Sequence, residues 1–139
     1  MVSQTWTFYS LTQLPVHRFD VIWCKFPFHD EPSDQPSQKK ERPALVRDVR
    51  VKKNGDCYIE VCYGTSNPER YSGADLFVFN ATEMAFAGLP QATTFLLRKT
   101  LVIPWAEEWC TVRPDGTGPV VGRLSDNLQE HVRYLMQQG

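Results

Sequence analysis

The sequence predicts a mainly β domain closed by one C-terminal helix. Three observations carry this. Short apolar segments from Phe19 onward alternate inward and outward residues; Pro, Gly and an Asn-Gly pair punctuate them; and after Leu124 the apolar spacing changes from two to between three and four. The 139 residues are 42% hydrophobic and 12% aromatic, enough for one compact domain with a core. Short strands followed by a helix fit a small, strongly curved sheet with that helix packed on it.

Residues 1–16 form an N-terminal extension, in which Thr5-Trp6-Thr7-Phe8-Tyr9 alternates polar with aromatic residues as an edge strand would. This stretch lacks a basic start and an unbroken apolar run, so a signal peptide is not expected. The domain proper spans 17–139. In its first strand Ile22, Cys24 and Phe26 share one face and Val21, Trp23 and Lys25 the other, and Pro27 ends it. Residues 29–41 are polar and proline-interrupted, a long exposed loop that must be either functional or mobile. Ala44–Val51 and Cys57–Tyr63 read as strands joined by a tight hairpin at Asn54-Gly55, so the first three strands make a meander.

Residues 64–73 are turn-rich. Leu76–Phe79 is a short strand, Ala81–Ala87 a helical turn broken by Gly88-Leu89-Pro90, and Thr94–Ile103 a strand closed by Pro104. Residues 106–119 are again loop, with a turn at Pro114-Asp115-Gly116. Ser125 or Asp126 caps the terminal helix over 125–137, where Leu124, Leu128, Val132 and Leu135 make a narrow apolar stripe.

A formal net charge of −1 means that an anionic partner must be drawn by a local patch. Such a patch lies between Lys39 and Lys53, where Lys39, Lys40, Arg42, Arg47, Arg50, Lys52 and Lys53 face only Glu41 and Asp48. Cys24, Cys57, Cys62 and Cys110 form no CxxC pair and have no histidine at zinc-finger spacing, so no metal and no cofactor is expected. Free cysteines in apolar strands behave as small hydrophobes, which fits a reduced, cytoplasmic protein. No apolar run is long enough to span a membrane.

Four segments in order, FDVIWCKFPFHDEPSDQPSQKKERPALV at 19–46, YGTSN at 63–67, the run from Ala87 to Trp105, and Gly122-Arg123-Leu124 before the terminal helix, resemble the MazF/PemK family of toxins. The resemblance covers about residues 17–138. It implies a barrel related to SH3 domains and a metal-independent endoribonuclease that cleaves single-stranded RNA. It also implies a growth-inhibiting homodimer, opposed by a small antitoxin whose disordered tail folds over the site.

Such cleavage needs a base for the ribose 2′-hydroxyl, positive charge on the phosphorane-like transition state and a proton donor for the leaving oxygen. Arg42 stands where the family has the functional arginine of its RPA or RPV motif; Pro43 biases it toward extended backbone, and its planar fork suits a phosphate. Thr65, after Gly64, matches a hydroxyl that contacts the scissile phosphate, and the adjacent Ser66 is an equal match. His29 lies where some members place a histidine or acid, and an imidazole can act as either acid or base. His17 and His131 have weaker claims. Lys39, Lys40, Arg47, Arg50, Lys52 and Lys53 could track the RNA backbone, and Tyr63, Trp23 or the 29–41 loop could read bases by stacking.

The chain also departs from the family. Where the related strand carries Phe then Asp, this one reads Thr94-Phe95-Leu96-Leu97, so the carboxylate is absent at Leu96. Arg98 remains as a second positive group. Either His29, Asp30 or Glu31 takes over acid/base work, catalysis is slow, or the fold persists without activity. The alternative function is therefore an inactive SH3-like module binding nucleic acid or a protein. A third is an interaction protein whose Trp6 and Phe8 extend a partner sheet.

Overall fold

A computed structural model describes residues 5–67, 72–112 and 114–138. The elements are β1 (Asp20–Cys24), β2 (Arg42–Val51), β3 (Cys57–Thr65), β4 (Leu76–Val78), α1 (Ala81–Ala87), β5 (Thr93–Pro104), β6 (Val120–Arg123) and α2 (Asp126–Gln137). The strands form one antiparallel sheet in the order β4-β5-β3-β2-β1-β6, curled into a half-barrel. The expected meander is β1-β2-β3. Its hairpin turns at Gly55, whose φ of 92° suits glycine, with Lys52 N–H bonded to Asp56 O at 2.9 Å.

Alternation along the strands divides the core into two clusters, one on each face of the sheet. Ile22, Cys24, Phe26, Ala44, Val46, Ile59 and Val61 face one side, together with Trp105 and Trp109. Val21, Leu45, Cys62, Phe95 and Leu97 face the other, where Leu124, Val132 and Leu135 of the terminal helical stripe cover them. Ser125 is the cap of α2, its hydroxyl accepting from Leu128 N–H, and Gly88 caps α1 in the left-handed region at φ 71°.

The N-terminal extension packs on the first cluster. Trp6 meets Trp109 edge-on at 5.6 Å between ring centroids, Tyr9 meets Trp105 at 5.3 Å, and Phe8 meets Tyr58 at 5.4 Å. Among its described residues the pairing is a bridge between Phe8 and Ala106, and the Trp105 indole N–H reaches Leu14 O at 3.0 Å. Trp6 and Phe8, candidates for extending a partner's sheet, are thus engaged within their own chain.

Two further features depart from expectation. β6 lies in a stretch read only as the approach to the helix; with four residues it is too short to declare a period, and its pairing with β1 is what makes it a strand. Phe19 takes φ 74°, a conformation rare for an aromatic residue, held by Phe19 N–H to Val46 O at 2.8 Å and Leu124 N–H to Phe19 O at 3.0 Å. No helix among the described residues is long and apolar enough to cross a membrane.

Candidate functional site

The sheet register brings distant residues together on one face. Cys24 pairs with Arg42 and Ala44 with Tyr63; continuing that register sets Arg42 across from Thr65. The 26–33 segment, the start of β2, the end of β3 and the middle of β5 enclose a cleft of about 760 Å³. Arg42, Tyr63, Thr65 and His29, singled out from separate parts of the chain, all line it.

Arg42 is half-buried. Its Nη2 donates to Pro27 O at 2.9 Å and Phe26 O at 3.3 Å. Its guanidinium lies 3.8 Å from the Phe28 ring centroid and 4.2 Å from that of Tyr63, which are cation–π distances. Burial pushes its pKa down, opposed by Tyr63, Cys24 and Glu31, but a guanidinium starts so high that it stays charged. Nε is buried without a hydrogen-bond partner. The result is a fixed cation inside an aromatic box.

Thr65 ends β3, and its hydroxyl oxygen accepts from Asn67 N–H at 3.1 Å. That bond uses the acceptor side and leaves the hydroxyl proton to donate. Ser66 is exposed. Gly64, read as the start of the turn-rich stretch, lies within β3; a Cβ there would come within 2.6 Å of Thr93 Cγ2 and 3.0 Å of the Phe95 ring. Its absence of side chain lets β3 and β5 close over Phe95.

The 29–41 loop is ordered by Glu31. Its carboxylate accepts from Phe28 N–H at 2.9 Å, Ser37 Oγ at 2.8 Å and Gln38 N–H at 2.9 Å. These bonds, the two backbone donors foremost, push its pKa down to about 2. With both oxygens engaged and so low a pKa, Glu31 is unsuited to be a general base near neutral pH. Asp30 is likewise held low by its hydrogen bond to Lys39 Nζ, at 3.1 Å, and Lys39 also lies over Phe28. His29, just before Asp30 and Glu31 in the chain, is exposed.

The other basic candidates do not converge. Arg47 donates to Leu97 O at 3.0 Å and lines a second groove with Val132 and Met136 of α2, on the opposite face of the sheet. Arg50 pairs with Asp48 and Glu60 at 3.5 Å each. Lys52 sits 4.4 Å over the Tyr58 ring, while Lys40 and Lys53 are exposed. Arg98 donates to Leu135 O at 3.0 Å and Ala74 O at 3.4 Å, which commits it to the helix side. The period of two also turns Trp23 away from Cys24 and hence from the cleft. Residues such as Phe28, Asn67 and Lys99, which line the cleft, were not singled out; Phe28 had a signal, lying directly beside His29, whereas Lys99 had none to separate it from Arg98.

Leu96 is buried, and β5 carries no acidic residue. All four cysteines are free and buried, and burial raises Cys57 to about 11, Cys62 to about 12, and Cys110 well above the usual range. Among the described residues no group of three or more His, Cys, Asp or Glu is placed to hold a metal ion. Comparison of the chain with family models and with curated proteins found no match.

Proposed function

We propose that the cleft binds single-stranded RNA and cuts it without metal, as the resemblance to MazF/PemK toxins implies. The observation that carries this reading is the convergence of Arg42, Tyr63, Thr65 and His29 on one cleft from three separate segments. In the reaction the ribose 2′-oxygen bonds to the adjacent phosphorus and the bond to the 5′-oxygen breaks, leaving a 2′,3′-cyclic phosphate and a 5′-hydroxyl. Arg42 supplies fixed positive charge for the phosphorane-like transition state. Thr65 donates its hydroxyl proton to a phosphate oxygen. His29 exchanges protons with the attacking or leaving oxygen. Phe28 and Tyr63 offer faces for an unpaired base.

The curled sheet with its packed helix supports, at a finer level, the SH3-like barrel of that family. The same reading carries the family's homodimer, its small antitoxin, growth inhibition and a cytoplasmic setting. Two observations favour the second reading, a non-catalytic module binding nucleic acid or a protein: Leu96 replaces the family carboxylate, and Glu31, the carboxylate that lines the cleft among the described residues, has both oxygens engaged by hydrogen bonds.

Purified protein should cut unstructured RNA in EDTA and spare DNA of the same sequence, because attack requires the 2′-hydroxyl. Equal cutting of DNA, or activity only with added divalent metal, would sink the mechanism. Binding of RNA without cleavage at high protein excess would establish the second reading.

A further inference from the structure

The pairing of β3 with β5 breaks at one place. From Tyr58↔Pro104 to Cys62↔Thr100 the register is constant, but Gly64 pairs with Phe95, so residues 96–99 stand together against Tyr63. A bulge of this kind re-aims side chains. Leu96 and Leu97 turn inward, and Arg98 goes to the backbone of Leu135 and Ala74. Lys99, at the end of the bulge beside Thr100, lines the cleft together with Tyr63 and Thr65.

We propose that Lys99 is the second cationic phosphate contact of this cleft, placing its ammonium on a phosphate oxygen of the bound strand across from Arg42. The assignment rests on the nucleic-acid reading of the site and adds a residue to it. β2 and β5 flank β3, so the two cations stand on either side of Tyr63 and Thr65, roughly 10 Å apart at the backbone by ordinary strand spacing. Their situations differ. Arg42 has Nη2 committed to two carbonyls and Nε buried. Lys99 is exposed and has no hydrogen-bond or ion-pair partner among the described residues. Among the described residues that line the cleft the one carboxylate is Glu31, whose oxygens accept from Phe28, Ser37 and Gln38 and which makes no ion pair with Lys99. A compact ammonium on a flexible stem can follow a phosphate while the boxed guanidinium keeps its place.

The test uses two probes with the full-length protein: unmodified RNA for cleavage and 2′-O-methyl RNA of the same sequence for binding without cleavage. Lys99→Ala should lower the salt dependence of binding by about 0.7 log unit per decade, the share of one phosphate contact on a single strand. It should lower kcat/KM as well. Lys99→Arg should restore both, and because the position is exposed each variant should fold. Cleavage by the wild type with an unaltered slope and unaltered kcat/KM in Lys99→Ala would overturn the role of Lys99 and leave the nuclease standing. Lys99-dependent binding of 2′-O-methyl RNA with no cutting of unmodified RNA would overturn the nuclease and leave Lys99 as a contact to the strand. Absence of binding by the wild type would overturn both.

Discussion

Arg42 has a structural place in the cleft and, on the proposed reading, a chemical one. It holds the carbonyls of Phe26 and Pro27 and lies between the rings of Phe28 and Tyr63. Removing it should therefore do two things. Arg42→Ala should lower RNA cleavage by about 10²-fold, the scale of one lost transition-state contact. It should also reduce stability by about 1–3 kcal/mol, because two carbonyl acceptors lose their donor. Arg42→Lys should recover part of each, since an ammonium can donate but cannot reproduce the planar fork. Urea unfolding beside a cleavage assay separates the two losses; full activity in Arg42→Ala would show that the family role does not extend to this residue. The identity of Arg42 as a candidate was legible from RPALV. Its burial was not, because the aromatic partners come from Phe28 and Tyr63, and only the register sets them beside it.

The loop carrying His29 is an element organised by a single carboxylate. The sequence shows its length and polarity, but no local pattern announces that Glu31 reaches Ser37 and Gln38, six and seven residues on. The pKa of Glu31 is about 2 when folded, against about 4.3 for a free side chain. A depressed carboxylate favours the folded loop above its unfolded pKa and loses that effect as pH falls through the folded one. The amide resonances of Phe28 and Gln38 should accordingly be constant at neutral pH and titrate with a midpoint near pH 2. A midpoint in the ordinary carboxylate range would mean that the three bonds are not formed in solution. Glu31→Gln should speed amide exchange at both positions at pH 7, because one carboxylate acceptor becomes an amide donor facing other donors. β5 makes the complementary point: its apolar, β-branched run predicts a strand, but the bulge that sends Arg98 to α2 and Lys99 to the cleft arises from pairing with β3.

At the scale of the whole molecule, the N-terminal extension completes the core. Trp6, Tyr9, Leu11 and Leu14 pack against the cluster that holds Trp105 and Trp109, and Thr7 bonds both oxygens of Glu108 at 2.9 and 2.7 Å. Trp6→Ala should cost about 1–3 kcal/mol, as removal of a half-buried ring from a packed cluster does. Deleting residues 1–14 should cost more, since it uncovers this face of the cluster. Both are read as shifts in the urea midpoint. A deletion that left the midpoint in place would show that the segment rests on the core without stabilising it.

The sequence by itself determined the β character, the three-strand meander, the Asn54-Gly55 hairpin and the capped terminal helix. Each of these is written in residues close together along the chain: a period of two, a turn dipeptide, a serine before an apolar stripe. It also named Arg42, Thr65, Tyr63 and His29 through short segments resembling a known family. Only the tertiary structure decided which basic residues share the cleft, because charge spacing along β2 does not reveal which face each side chain takes once Val46 and Asp48 shift register around Arg47. It likewise decided that β6 exists, that Gly64 serves a close strand approach, and that the extension is core. Those outcomes depend on contacts between residues far apart in sequence, which a local pattern cannot encode.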